Sequence, residues 1–297
     1  TEVLENVIKN GANIIFGVAP QMMMPSLKVA IEHPEVKILN CSLNTPHQYI
    51  RTYYARMYEA KFLSGMIAGA LTDNDKIAYI ADYPISGTIA NINAFALGAK
   101  MINPRAKVHL EWSCLKDGNV MEKVKAIDPS CISTRDLLIP NEKSRYFGIY
   151  HVGGERARNL ATPLIHWGKF YEQLIRAIMD GSWKYDDDSV NKAINYWWGM
   201  SAGVIDVICS RNLPIGTKRL IEHLKNTIMN GEFNPFTGVL YSQEGTVQDD
   251  PERSLSPEEI VNMDWLAENV IGHIPTKEEL IETALPVVSQ QGVERRG

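Results

Sequence analysis

The chain has no surplus of basic residues: 30 Lys and Arg stand against 35 Asp and Glu, for a formal charge of −5. A groove that neutralises phosphates needs such a surplus, so no nucleic-acid partner is expected. No apolar run has membrane-spanning length. The longest, FLSGMIAGALT at 62–72, stops well short of the roughly 20 residues a span requires. Neither GxGxxG nor GxxxxGK[ST] occurs, which removes the common phosphate-cradling loops, and there is no GxSxG turn to present a serine nucleophile. The seven histidines (33, 47, 109, 151, 166, 223 and 273) stand apart, without zinc-site spacing. Cysteine is scarce as well. Cys41, Cys114, Cys131 and Cys209 follow no CxxC pattern, and three of them sit in or at the end of apolar runs. Four free thiols are expected, a set that fits a reducing compartment or an anaerobic exterior better than an oxidising one.

What is present is an alternation of strand and helix. Short apolar runs lie at 13–18 (NIIFGV), 36–42 (VKILNCS), 76–84 (KIAYIADYP), 107–113 (KVHLEWS) and 146–152 (YFGIYHV). Helical periods fall between them: MPSLKVAIEHP with Pro25 in its first turn, MYEAKFLSGMIAGAL, and TIANINAFALGAKMI. Apolar, non-alternating strands separated by helices predict parallel sheets covered on both faces, an α/β fold. With 297 residues there is room for two packed lobes. Crossings between them are expected near residue 72, near NLATPLIHWG (159–168), and close to AINYWWGMSAGVIDV (193–207). That division puts 1–72 and about 160–195 in lobe 1, 73–159 and about 196–248 in lobe 2, and 249–297 in a C-terminal segment. There, GVLYSQEGTVQ reads as a hairpin turning at Glu244-Gly245, Ser256 as a helix N-cap followed by Pro257, and SQQGVERRG as an unpacked tail. The first residues read as an amphipathic helix, and the expectation is a chain cut from something longer.

No nucleophile, base and orienting group assemble. Asp186, Asp187 and Asp188 read as a solvated loop rather than a metal site. No catalytic residues, cofactor or metal are therefore expected.

Several stretches, in order, resemble the basic-membrane-protein family of substrate-binding proteins, the purine-nucleoside-binding lipoproteins of bacterial ABC importers. YYARMYEAKFLSGMIAGALT is similar to the tyrosine-rich entry into the family's long helix. KIAYIADYPISGTIANINAFALGAKMINPRAKVHLEW is similar to its most recognisable block, and HWGKFYEQLIRAIMDGSWK, NPFTGVLYSQEGTV and MDWLAENVIGHIP to its closing segments. The resemblance implies a two-lobed type I periplasmic-binding-protein fold, with parallel sheets flanked by helices and the family's first strand–helix unit missing from this chain. It implies a non-enzymatic protein that takes a small molecule, a purine nucleoside or nucleobase, into the interlobe cleft for ABC-type import. Permease subunits would be its partners, and its place would be extracytoplasmic, tethered to the membrane as a lipoprotein. A cytoplasmic ligand sensor fused to an N-terminal effector is the alternative, and a nucleoside-processing enzyme a weaker one. Two departures bear on the ligand. Tyr150, His151 and Val152 stand where the family carries an acid suited to ribose hydroxyls, and PSCISTRDLLIPNEKSRYFG replaces its Gly-Ala-Asp strand.

Carried over position by position, the cleft is expected to be lined by Val18, Ala19 and Gln21 on one lobe. On the other it would be lined by Tyr83, Pro84, Trp112, Ser113, Asp136, Tyr150 and His151. Trp167, Trp197 and Trp198 come from the crossings, where flat rings could grip a heterocycle or simply pack. If 196–198 is extended, Trp197 faces away from Tyr196 and Trp198. Trp183 and Trp265 are expected in packing roles, and Asp206 is either a paired carboxylate or an edge residue facing solvent.

Overall fold

A computed structural model of the chain describes residues 1–43, 49–134, 148–154, 156–181 and 195–293. The chain opens with α1 (Glu2–Lys9), β1 (Ile14–Gly17), α2 (Met23–Glu32), β2 (Lys37–Cys41), β3 (Ile50–Ala55) and α3 (Met57–Leu71). It continues with β4 (Lys76–Ala81), α4 (Thr88–Ile102), β5 (Lys107–Trp112), α5 (Val120–Ile127), β6 (Cys131–Ser133), β7 (Ile149–His151) and β8 (Arg158–Ile165). Then come α6 (Trp167–Met179), β9 (Tyr196–Trp198), β10 (Ile205–Cys209), α7 (Ile215–Met229), β11 (Leu240–Ser242) and β12 (Gly245–Gln248). The last are α8 (Pro257–Val261), β13 (Val270–Ile271) and α9 (Leu285–Gln291).

Two sheets divide the strands. The first runs β1-β2-β3-β9, all parallel, and the second β10-β8-β7-β6-β4-β5-β13. In the first, the two-residue side-chain period splits neighbours between faces. Ile15, Ile38 and Ile50 meet Leu4 of α1 and Val29 of α2 on one side. Phe16 and Tyr53 meet the rings of Phe170 and Tyr171 from α6 on the other. The second sheet sends Ala78 and Ile80 toward Val124 of α5, and Ile77, Tyr79 and Ala81 into the main core with α3 and α4. Both sheets are thus covered on two faces, the mixed α/β architecture expected of parallel strands.

The helices over 57–71 and 88–102 fall where the apolar period puts them. Residues 58–69 of α3 are all buried, which explains why 62–72 is the longest apolar run without being a membrane span. Among the described residues no helix is long and apolar enough to cross a membrane. Glycines let α3 and α4 approach until backbones touch: a Cβ on Gly65 would lie 1.9 Å from the Phe95 carbonyl oxygen, and one on Gly98 2.1 Å from that of Phe62.

The crossings differ in part from expectation. The first lies at 55–57, between β3 and α3, rather than near 72, because α3 packs on α4 and β8 of the second sheet. The stretch 159–168 is mostly strand β8 of that sheet, and the chain leaves it only at His166. Residues 196–198 close the first sheet beside β3, and the third crossing runs through 199–204. The hairpin at Gly245 forms, and Ser256 caps α8 in a reciprocal capping box with Glu259. The tail differs: α9 reaches Gln291, Val288 is buried, and Val293 donates to the Pro84 carbonyl at 3.2 Å. Of the segment read as tail, 289–293 thus dock, and 294–297 lie outside the described residues. Asp186–Asp188 and Trp183 lie outside the described residues.

Candidate functional site

The direction of the strands places the site. β1, β2, β3 and β9 run parallel, so their C-terminal ends share one edge, and β3 and β9 lead from that edge into the second lobe. β4, β5 and β6 are parallel to one another, and β8, antiparallel to β7, runs the same way, ending at His166 where the chain returns. Carboxyl ends of two sheets therefore face each other, the position where open α/β sheets bind ligands. Across this cleft the lobes touch. The Leu43 Cδ1 lies 2.6 Å from where a Cβ on Gly87 would sit, and α9 packs against the turn Pro20–Met22 that follows β1. α9 is in turn fastened to the loop after β4: Ser86 N donates to Gln291 O at 2.9 Å, and Ile85 bridges to Gly292.

The three crossings lie together and are cross-bonded. Arg56 N donates to Trp198 O at 2.8 Å, and His166 N donates to Val204 O at 2.8 Å. Met200 N donates to the Glu59 carboxylate at 2.6 Å, and Gln173 to Ala202 O at 2.9 Å. Asp206, at an edge strand, is a paired carboxylate: it holds Lys225, with His166 3.7 Å away. Burial alone would raise its pKa, but Lys225, the Val207 amide and His166 together bring it below the usual range.

The expected lining residues fall into distinct groups. Val18, 65% exposed, Ala19 and Gln21 lie on the loop after β1. That loop is held by Asn40, a fully buried side chain whose amide donates to Ala19 O at 3.1 Å. Asn40 was not singled out from sequence, although an amide inside VKILNCS was the available signal. Tyr83, half-buried, and Pro84, buried, follow β4, and Ser113 donates to Asp82 at 3.1 Å beside them. Trp112 differs: it is 2% exposed and its indole N–H donates to His273 O at 2.8 Å, so the side chain anchors the C-terminal segment. His151 is not brought to the cleft. β7 is antiparallel to β6, which pairs His151 with Cys131 and sets it at the far edge of the sheet, bonded to Asp73 at 2.8 Å. Tyr150 lies mid-sheet opposite Ile132, and Asp136 lies outside the described residues.

The tryptophans sort by face. Tyr196 and Trp198 contact edge to face at 5.6 Å, and Trp198 packs on Phe170 at 5.1 Å. Trp197 points the other way, onto Tyr58 at 5.7 Å and under the Arg56 guanidinium. Trp167, 37% exposed, stacks on Tyr171 at 5.8 Å with a 23° interplanar angle, an open aromatic face at the second crossing. Trp265 packs against the core. A cavity of about 550 Å³ adjoins the docked α9, lined among others by Pro84, Ser86, Asp264, Lys277 and Gln290. Apart from Pro84, none of these carried a sequence signal of its own. All four cysteines are free thiols, and burial pushes Cys41 and Cys131 up to about 12 and Cys114 up to about 11, which disfavours the nucleophilic thiolate at these three.

Comparison with known proteins agrees with this geometry. Residues 1–124 match the family model of PnrA-like ABC transporter substrate-binding proteins. A purine-binding protein of Brucella abortus is 27% identical over 259 residues, covering 82% of this chain and 71% of that one. A putative ABC transporter glucose-binding protein of Haloferax volcanii is 26% identical over 82% of this chain, which spans only 63% of that relative's length. Among solved structures, a transcriptional activator of the comK gene from Bacillus halodurans has a TM-score of 0.60 at 15% identity, over 79% of this chain and 84% of that one. An ABC transporter solute-binding protein from Conexibacter woesei has a TM-score of 0.53 at 14% identity, over 78% and 82%. These structural likenesses speak for the fold, which is the two-lobed periplasmic-binding architecture. The family likeness therefore rests on residues 1–124, which match the model of PnrA-like ABC transporter substrate-binding proteins, and on these distant relatives.

Proposed function

We propose that the protein captures a purine nucleoside or nucleobase between its lobes and hands it to ABC permease subunits. The observation that carries the reading is the cleft itself: carboxyl ends of two sheets face each other, joined by three bonded crossings and bordered by the open face of Trp167. Rings of this kind hold a flat heterocycle by stacking, and closure about a hinge selects the liganded state. On this reading each sheet is the centre of one lobe. Strands β1, β2, β3 and β9 would belong to one lobe, and β4, β5, β6, β7, β8, β10 and β13 to the other. The reading places the protein outside the cytoplasm, tethered as a lipoprotein. The four free thiols favour a second one, a cytoplasmic sensor on the same lobes.

Thermal unfolding of the purified chain with inosine, adenosine, guanosine, hypoxanthine and glucose tests the ligand. Binding at a hundredfold excess over Kd stabilises by about 2.7 kcal/mol. A shift with glucose and none with any purine would sink the purine assignment. Release of free base from inosine would instead support an enzyme. Fractionation of cells producing the natural protein decides between the two locations.

A further inference from the structure

The hinge contains a carboxylate that the solute-binding reading does not require. Glu59 lies one turn into α3 and is 5% exposed, on the second-lobe side of the first crossing. Its Oε2 accepts from the backbone N–H of Met200, at 2.6 Å, which belongs to the third crossing. Its Oε1 lies 3.5 Å from Arg56 Nε, an ion pair without hydrogen-bond geometry. Arg56 also donates its backbone N–H to Trp198 O at 2.8 Å, so residues 56 and 59 grip both sides of Gly199. Position 199 has no room for a side chain: a Cβ there would lie 2.3 to 2.6 Å from the Glu59 carboxylate. Gly199 has φ −130°, outside the left-handed region that favours glycine, so the obstacle to a side chain at this position is the carboxylate.

Burying a carboxylate is costly unless something specific holds it. Here it holds two separate chain crossings at one point, while a leucine would fill the same space with no tie to Met200. We infer that Glu59 is a positioning residue, a clasp that makes the first and third crossings bend as one hinge and so keeps the lobes in the closed arrangement. Because the clasp joins the lobes whatever they bind, this inference rests on the two-lobed solute-binding reading but not on purine as the solute.

Small-angle X-ray scattering of the whole chain without added solute tests it, beside the dissociation rate of inosine. Glu59→Ala is expected to increase the radius of gyration and speed inosine release about tenfold, the equivalent of 1.4 kcal/mol. Glu59→Gln keeps an oxygen to accept from Met200 and is expected to stay compact. Gly199→Ala displaces the carboxylate without removing it and is expected to open the molecule as Glu59→Ala does. An unchanged radius in Glu59→Ala would overturn the clasp, even if its melting temperature fell. Opening of Glu59→Gln to the same extent would overturn it as well, because the acceptor is retained. Should Glu59→Ala fail to fold, Gly199→Ala decides on the same radius. Should inosine fail to bind the unaltered chain, the purine reading fails while the scattering still judges the hinge.

Discussion

Gly65 of α3 and Phe95 of α4 are in backbone contact: a Cβ on Gly65 would come 1.9 Å from the Phe95 carbonyl oxygen and 2.9 Å from its Cα. The obstacle is main chain in the middle of a buried helix, so it cannot swing aside as a side chain can. Gly65→Ala must push the two helices apart, opening the core that joins α3 to the second sheet. It is expected to destabilise by about 3 kcal/mol, the upper end of overpacking costs, despite the better helix propensity of alanine. Gly216, with nothing within 4 Å of its Cβ position, is the control, and Gly216→Ala should be neutral or stabilising in urea denaturation.

Asn93 holds the C-terminal segment to α4. Its amide donates to Trp265 O at 2.7 Å and its oxygen accepts from Ala267 N at 2.8 Å, in a fully buried position. Asn93→Ala strands both backbone groups and is expected to cost about 3 kcal/mol. Asn93→Asp keeps the shape but turns an acceptor toward the Trp265 carbonyl, and should be worse at neutral pH than at low pH. Protease protection of 262–285 gives a local readout beside global unfolding.

Acid should affect Glu59 and Asp206 oppositely. Burial raises Glu59 above its ordinary value, with Arg56 and the Met200 amide offsetting only part. The folded state then holds a proton at pH values where the unfolded chain has lost it, so this group adds stability as pH falls through its raised value toward the ordinary one. Asp206 is held below its ordinary value, so its contribution is present above that value and is lost as pH falls through the lowered one. Denaturation curves of the unaltered chain and Glu59→Gln, measured at stepped pH, should converge as pH falls and diverge toward neutrality. Parallel curves would show that Glu59 titrates normally.

Trp167 and Trp198 should separate affinity from stability. Trp167 is partly open at the crossing, whereas Trp198 is packed between Phe170 and Tyr196. Trp167→Ala is expected to weaken inosine binding about tenfold with little loss of melting temperature, as removing a stacking face does. Trp198→Ala is expected to cost about 2 kcal/mol of stability through lost burial. Titration calorimetry and thermal unfolding on both variants check the contrast.

The strand ends at which the expected lining residues stand were only partly legible in the sequence. Val18, Ala19, Gln21, Tyr83 and Pro84 follow parallel strands and emerge at the carboxyl edge, as a strand-end rule expects. His151 has the same local look, an imidazole at the end of an apolar run, yet lies at the opposite edge, because β7 is reversed. Strand direction is set by which neighbour pairs with it, and nothing within YFGIYHV encodes that choice. Trp112 likewise ends a parallel strand, but the carbonyl of His273, distant in sequence, claims its indole.

By itself the sequence determined the local order: the α/β alternation, the spans of α3 and α4, the cap at Ser256, the hairpin at Gly245 and the opposite facing of Trp197 and Trp198. Each depends on periodicity or on a residue's own backbone preference, which act over a few neighbours. Only the tertiary structure decided where the chain crosses between lobes, that α9 docks beside the β4 loop, and that position 199 must be bare. Those outcomes depend on what arrives from distant parts of the chain. Gly199 looks like a turn glycine in sequence, but it is empty because the carboxylate of Glu59 occupies the place its side chain would take.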